Sequence, residues 1–129
     1  MLHDGKQQPN FWRADMRWLG GLFLVAHGLL HVAVWVPRPP ANVPFDTSRS
    51  PMFGNVRGVA ISLSLLAALL FVVAGVAVLI HAAWWAPVAI AAAVISALLI
   101  ILTFSPWLLA GLAIDVVIFV LALLALRKQ

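Results

Sequence analysis

Four apolar stretches make up most of this sequence, and each is long enough to cross a lipid bilayer. They are predicted over residues 17–36, 56–82, 87–104 and 107–126. A helix needs about 20 apolar residues to cross the hydrocarbon layer, where every backbone polar group must find its partner within the helix. Because hydrophobic residues form 64% of the chain, no soluble class fits it. We predict an all-α integral membrane protein: one domain, residues 1–129, of four antiparallel transmembrane helices.

The long polar connection of the chain is predicted between the first and second helices. Residues 37–55 include five prolines, and a segment of this length and composition does not form a tight hairpin. We therefore predict a Pro-rich external loop, stiffened by polyproline-like backbone. Asp46 and Arg49 lie in its polar half, where they can order a local turn or contact a partner outside the membrane.

Particular residues mark the predicted ends of the helices. Asn55 is expected to cap the second helix through its side-chain oxygen, and Pro87 to stand first in the third. Ser105 is expected to cap the fourth helix, with Pro106 opening it. These signals predict very short connections after the second and third helices.

Small residues recur at every fourth position in two of the predicted helices. Such rows let helices approach closely, which is the usual basis of helix association in lipid. We expect another helix to pack on each row. The rows are Ala60, Ser64 and Ala68 in the second helix and Ala89, Ala93 and Ala97 in the third, and Gly111 adds a small residue to the fourth.

The basic residues predict the orientation of the chain. Five lie on the side of the termini and three in the first loop, and cytoplasmic segments carry the excess of Lys and Arg. We therefore expect both termini in the cytoplasm. The chain has six Arg against two Lys and is rich in Ala, Val and Leu, a composition that suggests a bacterial inner membrane. The basic residues do not form a continuous run, so nucleic-acid binding is not expected. The five are Lys6, Arg13, Arg17, Arg127 and Lys128, and the three are Arg38, Arg49 and Arg57.

Three ionisable residues are predicted inside the membrane. His27 and His31 are four residues apart and share one helix face, and Asp115 is the only acid within a predicted span. An imidazole in hydrocarbon leaves its polar atoms unpaired, so this face must look at protein. His27 and Asp115 each lie roughly 12 to 14 Å from the outer ends of their helices. We predict that Asp115 accepts a hydrogen bond from His27 or His31.

Several interpretations of these three residues stay open. His27 and His31 have the spacing by which two imidazoles reach one metal ion, and Asp115 can supply an oxygen or orient a ring. Haem, a quinone or a proton-coupled ligand are further occupants of the same site. A polar clasp that fixes helix register needs no ligand. His81 lies near the opposite end of the second helix and is expected to anchor the chain at the membrane surface.

No catalytic group stands out in the sequence, which argues against an enzyme. Cysteine is absent, so there is neither a thiolate nucleophile nor a Cys-based metal site. The serines do not occur in a nucleophile elbow. The hydroxyl groups inside the helices are instead expected to bond to carbonyls of their own helix, and these belong to Ser62, Ser64, Ser96 and Thr103.

Few residues remain outside the membrane, so we expect the partners to be other integral membrane subunits, a second copy of the chain, or lipid. The leading hypothesis is an accessory or structural subunit of a larger complex, without a cofactor, docking through the small-residue rows and the loop. The alternative is a metal-, haem- or quinone-binding membrane protein. A third hypothesis is a protomer of a proton-coupled transporter. Four spans with one buried acid resemble the small multidrug transporters, but in those proteins the acid lies in the first span. Asp115 lies in the fourth, so no family is assigned.

Overall fold

Four long helices and one small hairpin follow each other along the chain. In a computed structural model, residues 11–129 are described, so the predicted contribution of Lys6 lies outside the described part. The helices are α1 (Phe11–Trp35), α2 (Arg57–Leu79), α3 (Trp85–Leu102) and α4 (Leu109–Leu126). A 3₁₀ turn, Pro106–Leu108, leads into α4, and the strands β1 (Arg49–Ser50) and β2 (Gly54–Asn55) lie in the first loop.

The predicted fold class is confirmed. Within the described residues, four helices are long and apolar enough to cross a membrane, which is consistent with a multi-pass membrane protein. The end of the bundle at which α1 begins and α4 ends is called the terminal face, and the opposite end the loop face. The turn between α2 and α3 lies at the terminal face, where Gln129 Nε2 donates to the Ala83 carbonyl over 3.1 Å.

The observed helix ends differ from the predicted ones by a few residues. α1 begins at Phe11 rather than residue 17, and α2 stops at Leu79 rather than residue 82. α3 begins at Trp85, two residues before Pro87. Proline is tolerated there because the first amide groups of a helix have no partner within it.

The two predicted caps have different outcomes. The capping position of α2 is held by Val56 rather than Asn55, and it makes no side-chain capping bond. The Asn55 side-chain oxygen, one position earlier, still accepts a hydrogen bond from the Arg57 amide at 3.1 Å and so pairs one of the free donors at the start of α2. Ser105 precedes the 3₁₀ turn in extended backbone, but its side chain makes no capping bond. Pro106 does open that turn, as predicted.

Glycine brings α1 and α2 together. A Cβ atom added at Gly75 would lie 2.6 Å from the Gly21 carbonyl oxygen, and one added at Gly28 would lie 2.9 Å from the Ala68 carbonyl oxygen. No side chain fits into these contacts, so the two backbones approach more closely than larger residues would allow. α2 then packs on α3, and α3 on α4.

The predicted small-residue rows lie inside this chain. Most of their members are buried, while Ala97 and Gly111 are half-buried. The rows therefore pack the helices of the bundle against one another. The buried members are Ala60, Ser64, Ala68, Ala89 and Ala93.

The Pro-rich loop is held by local hydrogen bonds. Asp46 Oδ1 accepts from the Ser48 amide at 2.9 Å and from the Ser48 hydroxyl at 2.5 Å. Arg49 pairs with Asn55 across the antiparallel strands. Arg57 donates to the Val36 carbonyl at 3.1 Å and so joins the two ends of the loop.

Candidate functional site

Four polar side chains from three helices meet in the interior of the bundle. His27 and His31 come from α1, Ser96 from α3 and Asp115 from α4, and none of them exposes more than 6% of its surface. We call these four residues the polar network. Buried polar groups are costly unless they are paired, so their hydrogen bonds decide what the network can do.

The network is a continuous chain of hydrogen bonds. His27 Nε2 lies 3.0 Å from Asp115 Oδ1, the contact that the matched depths of the two residues predict. The other carboxylate oxygen, Oδ2, lies 2.5 Å from Ser96 Oγ. The Ser96 oxygen in turn lies 2.7 Å from His31 Nε2. Ser96 therefore joins His31 to Asp115.

The remaining nitrogen of His31 is also paired. His31 Nδ1 lies 2.9 Å from the His27 carbonyl oxygen, one turn earlier in α1. A carbonyl oxygen only accepts, so Nδ1 carries a hydrogen. This bond fixes the ring and leaves Nε2 to face Ser96 either as a donor or as an acceptor.

Aromatic rings enclose the network. Phe71 of α2 is fully buried, and its ring centroid lies 4.8 Å from that of His27 and 5.4 Å from that of His31. Trp35 stacks on His31 at 5.5 Å. Since α2 contributes no ionisable group at this level, the charges that face one another are confined to two histidines and one aspartate.

Counting hydrogens restricts the charge states of the network. Each of its three side-chain links needs one hydrogen, and the Ser96 hydroxyl supplies one. When the net charge of the network is zero, all three links can be filled only if His27 donates a hydrogen from Nε2 to Asp115. The third hydrogen then lies either on Asp115, with both histidines neutral, or on His31, with Asp115 ionised. No other neutral arrangement fills all three links.

The two arrangements differ by a short double transfer. The His31 Nε2–H bond breaks as a new O–H bond forms on Ser96, while the original Ser96 hydrogen passes to Asp115 Oδ2. Each hydrogen crosses one existing hydrogen bond, and the total charge of the network does not change. The geometry therefore allows a proton to move between His31 and Asp115 through Ser96.

No family model, curated protein or solved structure matches this chain. What the site does must therefore be inferred from its own chemistry.

A metal shared by the two histidines would have to displace existing bonds. The Nε2 atoms face different partners, Asp115 for His27 and Ser96 for His31. Within residues 11–129, no group of three or more His, Cys, Asp or Glu side chains is arranged to hold a metal ion. The Nε2 atoms of the two histidines therefore do not face a common point in this arrangement.

Ser96 is the network residue that the sequence interpretation missed. Ser62, Ser64 and Thr103 bond to carbonyls of their own helices, as expected. For Ser96 the expectation was wrong, because its hydroxyl meets Asp115 and His31. Depth gives its level but not its partner: Ser96 and Asp115 each lie six residues, about 9 Å, from the loop-face ends of their observed helices.

His81 is separate from the network. It is exposed and follows α2 at the terminal face, with a φ of 60°. A positive φ is uncommon for a residue with a side chain and here it belongs to the turn that leads into α3. Its position agrees with the predicted location near the membrane surface.

Proposed function

We propose that this chain is a small membrane protein whose polar network binds and relays a proton. The observation that carries the proposal is the continuous hydrogen-bonded path from His31 through Ser96 to Asp115, with links of 2.7 and 2.5 Å. Intramembrane ionisable residues commonly mark proton relays. This conclusion develops the ligand-site hypothesis rather than the accessory-subunit hypothesis.

Energetics favours a mobile proton over a fixed ion pair. A buried charge without a nearby partner costs several kcal/mol, so the network is most stable when its net charge is zero. Zero charge is available in two forms that share the same heavy-atom positions. A small change in the surroundings, such as a shift of α4, can therefore move the proton from one residue to the other.

The decisive comparison is between the native chain and Asp115→Asn. An asparagine can accept from His27 through its oxygen and donate to Ser96 through its amide, which makes Ser96 donate to His31. The variant keeps all three links but fixes His31 as neutral. Imidazole ¹⁵N NMR in lipid nanodiscs should show a protonation change at His31 Nε2 with pH in the native chain and none in Asp115→Asn.

Asp46→Asn provides the matched control, since it removes an exposed carboxylate in the loop and should leave the His31 signal as in the native chain. An identical His31 titration in the native and Asp115→Asn proteins would contradict the proposal. The network would then be a polar clasp that holds α1, α3 and α4 in register.

One observation favours an accessory role as a second candidate. At the tip of the loop hairpin, Met52 and Phe53 expose 81% and 69% of their surface. Large apolar side chains exposed on a loop are typical of contact sites. If a partner docks there, Met52→Ser with Phe53→Ser should abolish co-purification with other membrane subunits. His27→Ala should then leave that co-purification intact.

A further inference from the structure

A cleft lies between α1 and α4, beside the polar network. α1 packs on α2, and α4 packs on α3, while α1 and α4 leave about 490 Å³ between them. Apart from Arg17, the side chains that line this space are apolar. Members of its two walls are Gly20, Phe23 and Leu24 on α1 and Ile114, Val117 and Leu121 on α4.

A more polar cavity adjoins the cleft at the terminal face. It measures about 400 Å³ and shares Arg17 and Trp85 with the cleft. His81 and Gln129 line its other sides. In the described part of the chain, Arg17 forms no ion pair. The two spaces together are apolar at one end and cationic at the other.

The length of the cleft fits within one leaflet. Its lining residues run from Met16 to Leu24 on α1 and from Ala113 to Leu121 on α4, and Phe23 among them stacks on His27 at 6.0 Å. The eight residue steps from Met16 to Leu24 span about 12 Å, which fits within half of a hydrocarbon layer about 30 Å thick. A partner helix that crosses the whole membrane would need a groove of full length, whereas an acyl chain of one leaflet does not.

The charge of the terminal face favours an anionic headgroup. Its described basic residues outnumber its acidic ones by four to one, and each Lys or Arg near a surface attracts anionic lipid. Arg17 is the one that also lines the cleft. The four are Arg13, Arg17, Arg127 and Lys128, and the acid is Asp15.

We infer that the cleft between α1 and α4 binds an anionic phospholipid of the leaflet at the terminal face. One acyl chain fills the apolar cleft, beside Phe23 and Leu24 on α1 and Val117 on α4. The phosphate lies beside Arg17, in the cavity that His81 and Gln129 complete. This inference goes beyond the proposed proton relay and does not depend on it.

Photolabelling tests the site. The full chain is placed in phosphatidylcholine vesicles that contain a trace of phosphatidylglycerol with a photoreactive acyl chain, and the adducts are mapped by mass spectrometry. We expect adducts on the cleft walls, about fivefold more abundant than with a phosphatidylcholine probe bearing the same acyl chain. Equal labelling of the cleft by the two probes would overturn the role of Arg17.

Arg17→Gln should reduce the labelling by phosphatidylglycerol to the level of phosphatidylcholine. Arg13→Gln is its control, because Arg13 lies on the same helix near the same face but does not line the cleft. This control should keep the native preference. A loss of preference in both variants would show general surface attraction and contradict a specific site.

Gly20→Leu should fill the cleft. A Cβ added at Gly20 meets nothing within 4 Å, so the larger side chain enters without a clash. Gly58→Leu is the matched control, since Gly58 is equally open but lies at the start of α2 on the loop face. Only Gly20→Leu should abolish the cleft adducts. Undiminished adducts in Gly20→Leu would overturn the inference.

Discussion

His31 and Asp115 lie on helices that do not follow each other in the chain, yet one hydroxyl group joins them. The Ser96 oxygen is 2.7 Å from His31 Nε2 and 2.5 Å from Asp115 Oδ2. Because a hydroxyl both donates and accepts, it can pass a hydrogen on while receiving another. The connection gives the two residues one continuous hydrogen-bonded path.

Asp115→Ala and Asp115→Asn should differ sharply in stability. Alanine leaves the His27 donor and the Ser96 hydroxyl without their buried partner, which should lower the free energy of unfolding by about 2 kcal/mol or more. Asparagine keeps all three links, so its cost should stay below about 1 kcal/mol. Thermal unfolding in detergent, followed by circular dichroism, measures both. Equal losses would show that the network does not hold its hydrogens as described.

Gly75→Ala should separate α1 from α2. The added methyl group would lie 2.6 Å from the Gly21 carbonyl oxygen, a contact that the rigid backbone can relieve only by moving. Overpacking of this kind costs about 1 to 3 kcal/mol. The same melting experiment applies, with Gly58→Ala as the control, because Gly58 has open space around it and should show no loss. A native-like melt for Gly75→Ala would argue against the close approach of the two helices.

The first loop should lose order in acid. The Ser48 hydroxyl, followed by the Ser48 amide, holds the pKa of Asp46 below the 3.8 of a free aspartate. A carboxyl whose pKa is lowered on folding stabilises the loop above its unfolded pKa. This contribution is lost as the pH falls through the lower, folded pKa. The Ser48 amide signal in NMR should therefore titrate below pH 3.8, and Ser48→Ala should raise its midpoint. A midpoint unchanged in that variant would contradict the assigned cause.

The sequence predicts the helices better than it predicts the site. Apolar length predicts four spans, and the shared face of His27 and His31 with the matched depth of Asp115 predicts the first contact of the network. Ser96 escapes this reasoning because a lone serine in a helix can bond to its own backbone equally well. Its true partner depends on how α3 is rotated, which only packing determines.

Helix packing was also harder to predict than helix position. The small-residue rows indicate close contacts, but they do not say whether the contact is within the chain or with a partner. Burial of Ala60, Ala68 and Ala89 assigns them to the interior. The tight contact between Gly21 and Gly75 depends on the crossing of α1 and α2 and leaves no mark in the spacing of residues.

The most direct test of the proton relay follows Asp115 and His31 in one titration. The ¹³C signal of the Asp115 carboxyl and the ¹⁵N signal of His31 Nε2 are recorded together by NMR in lipid nanodiscs as the pH is varied. We predict that the two signals change at the same midpoints in the native chain and at different midpoints in Ser96→Ala. Different midpoints for the two signals in the native chain, or shared midpoints that survive Ser96→Ala, would contradict a proton shared through Ser96.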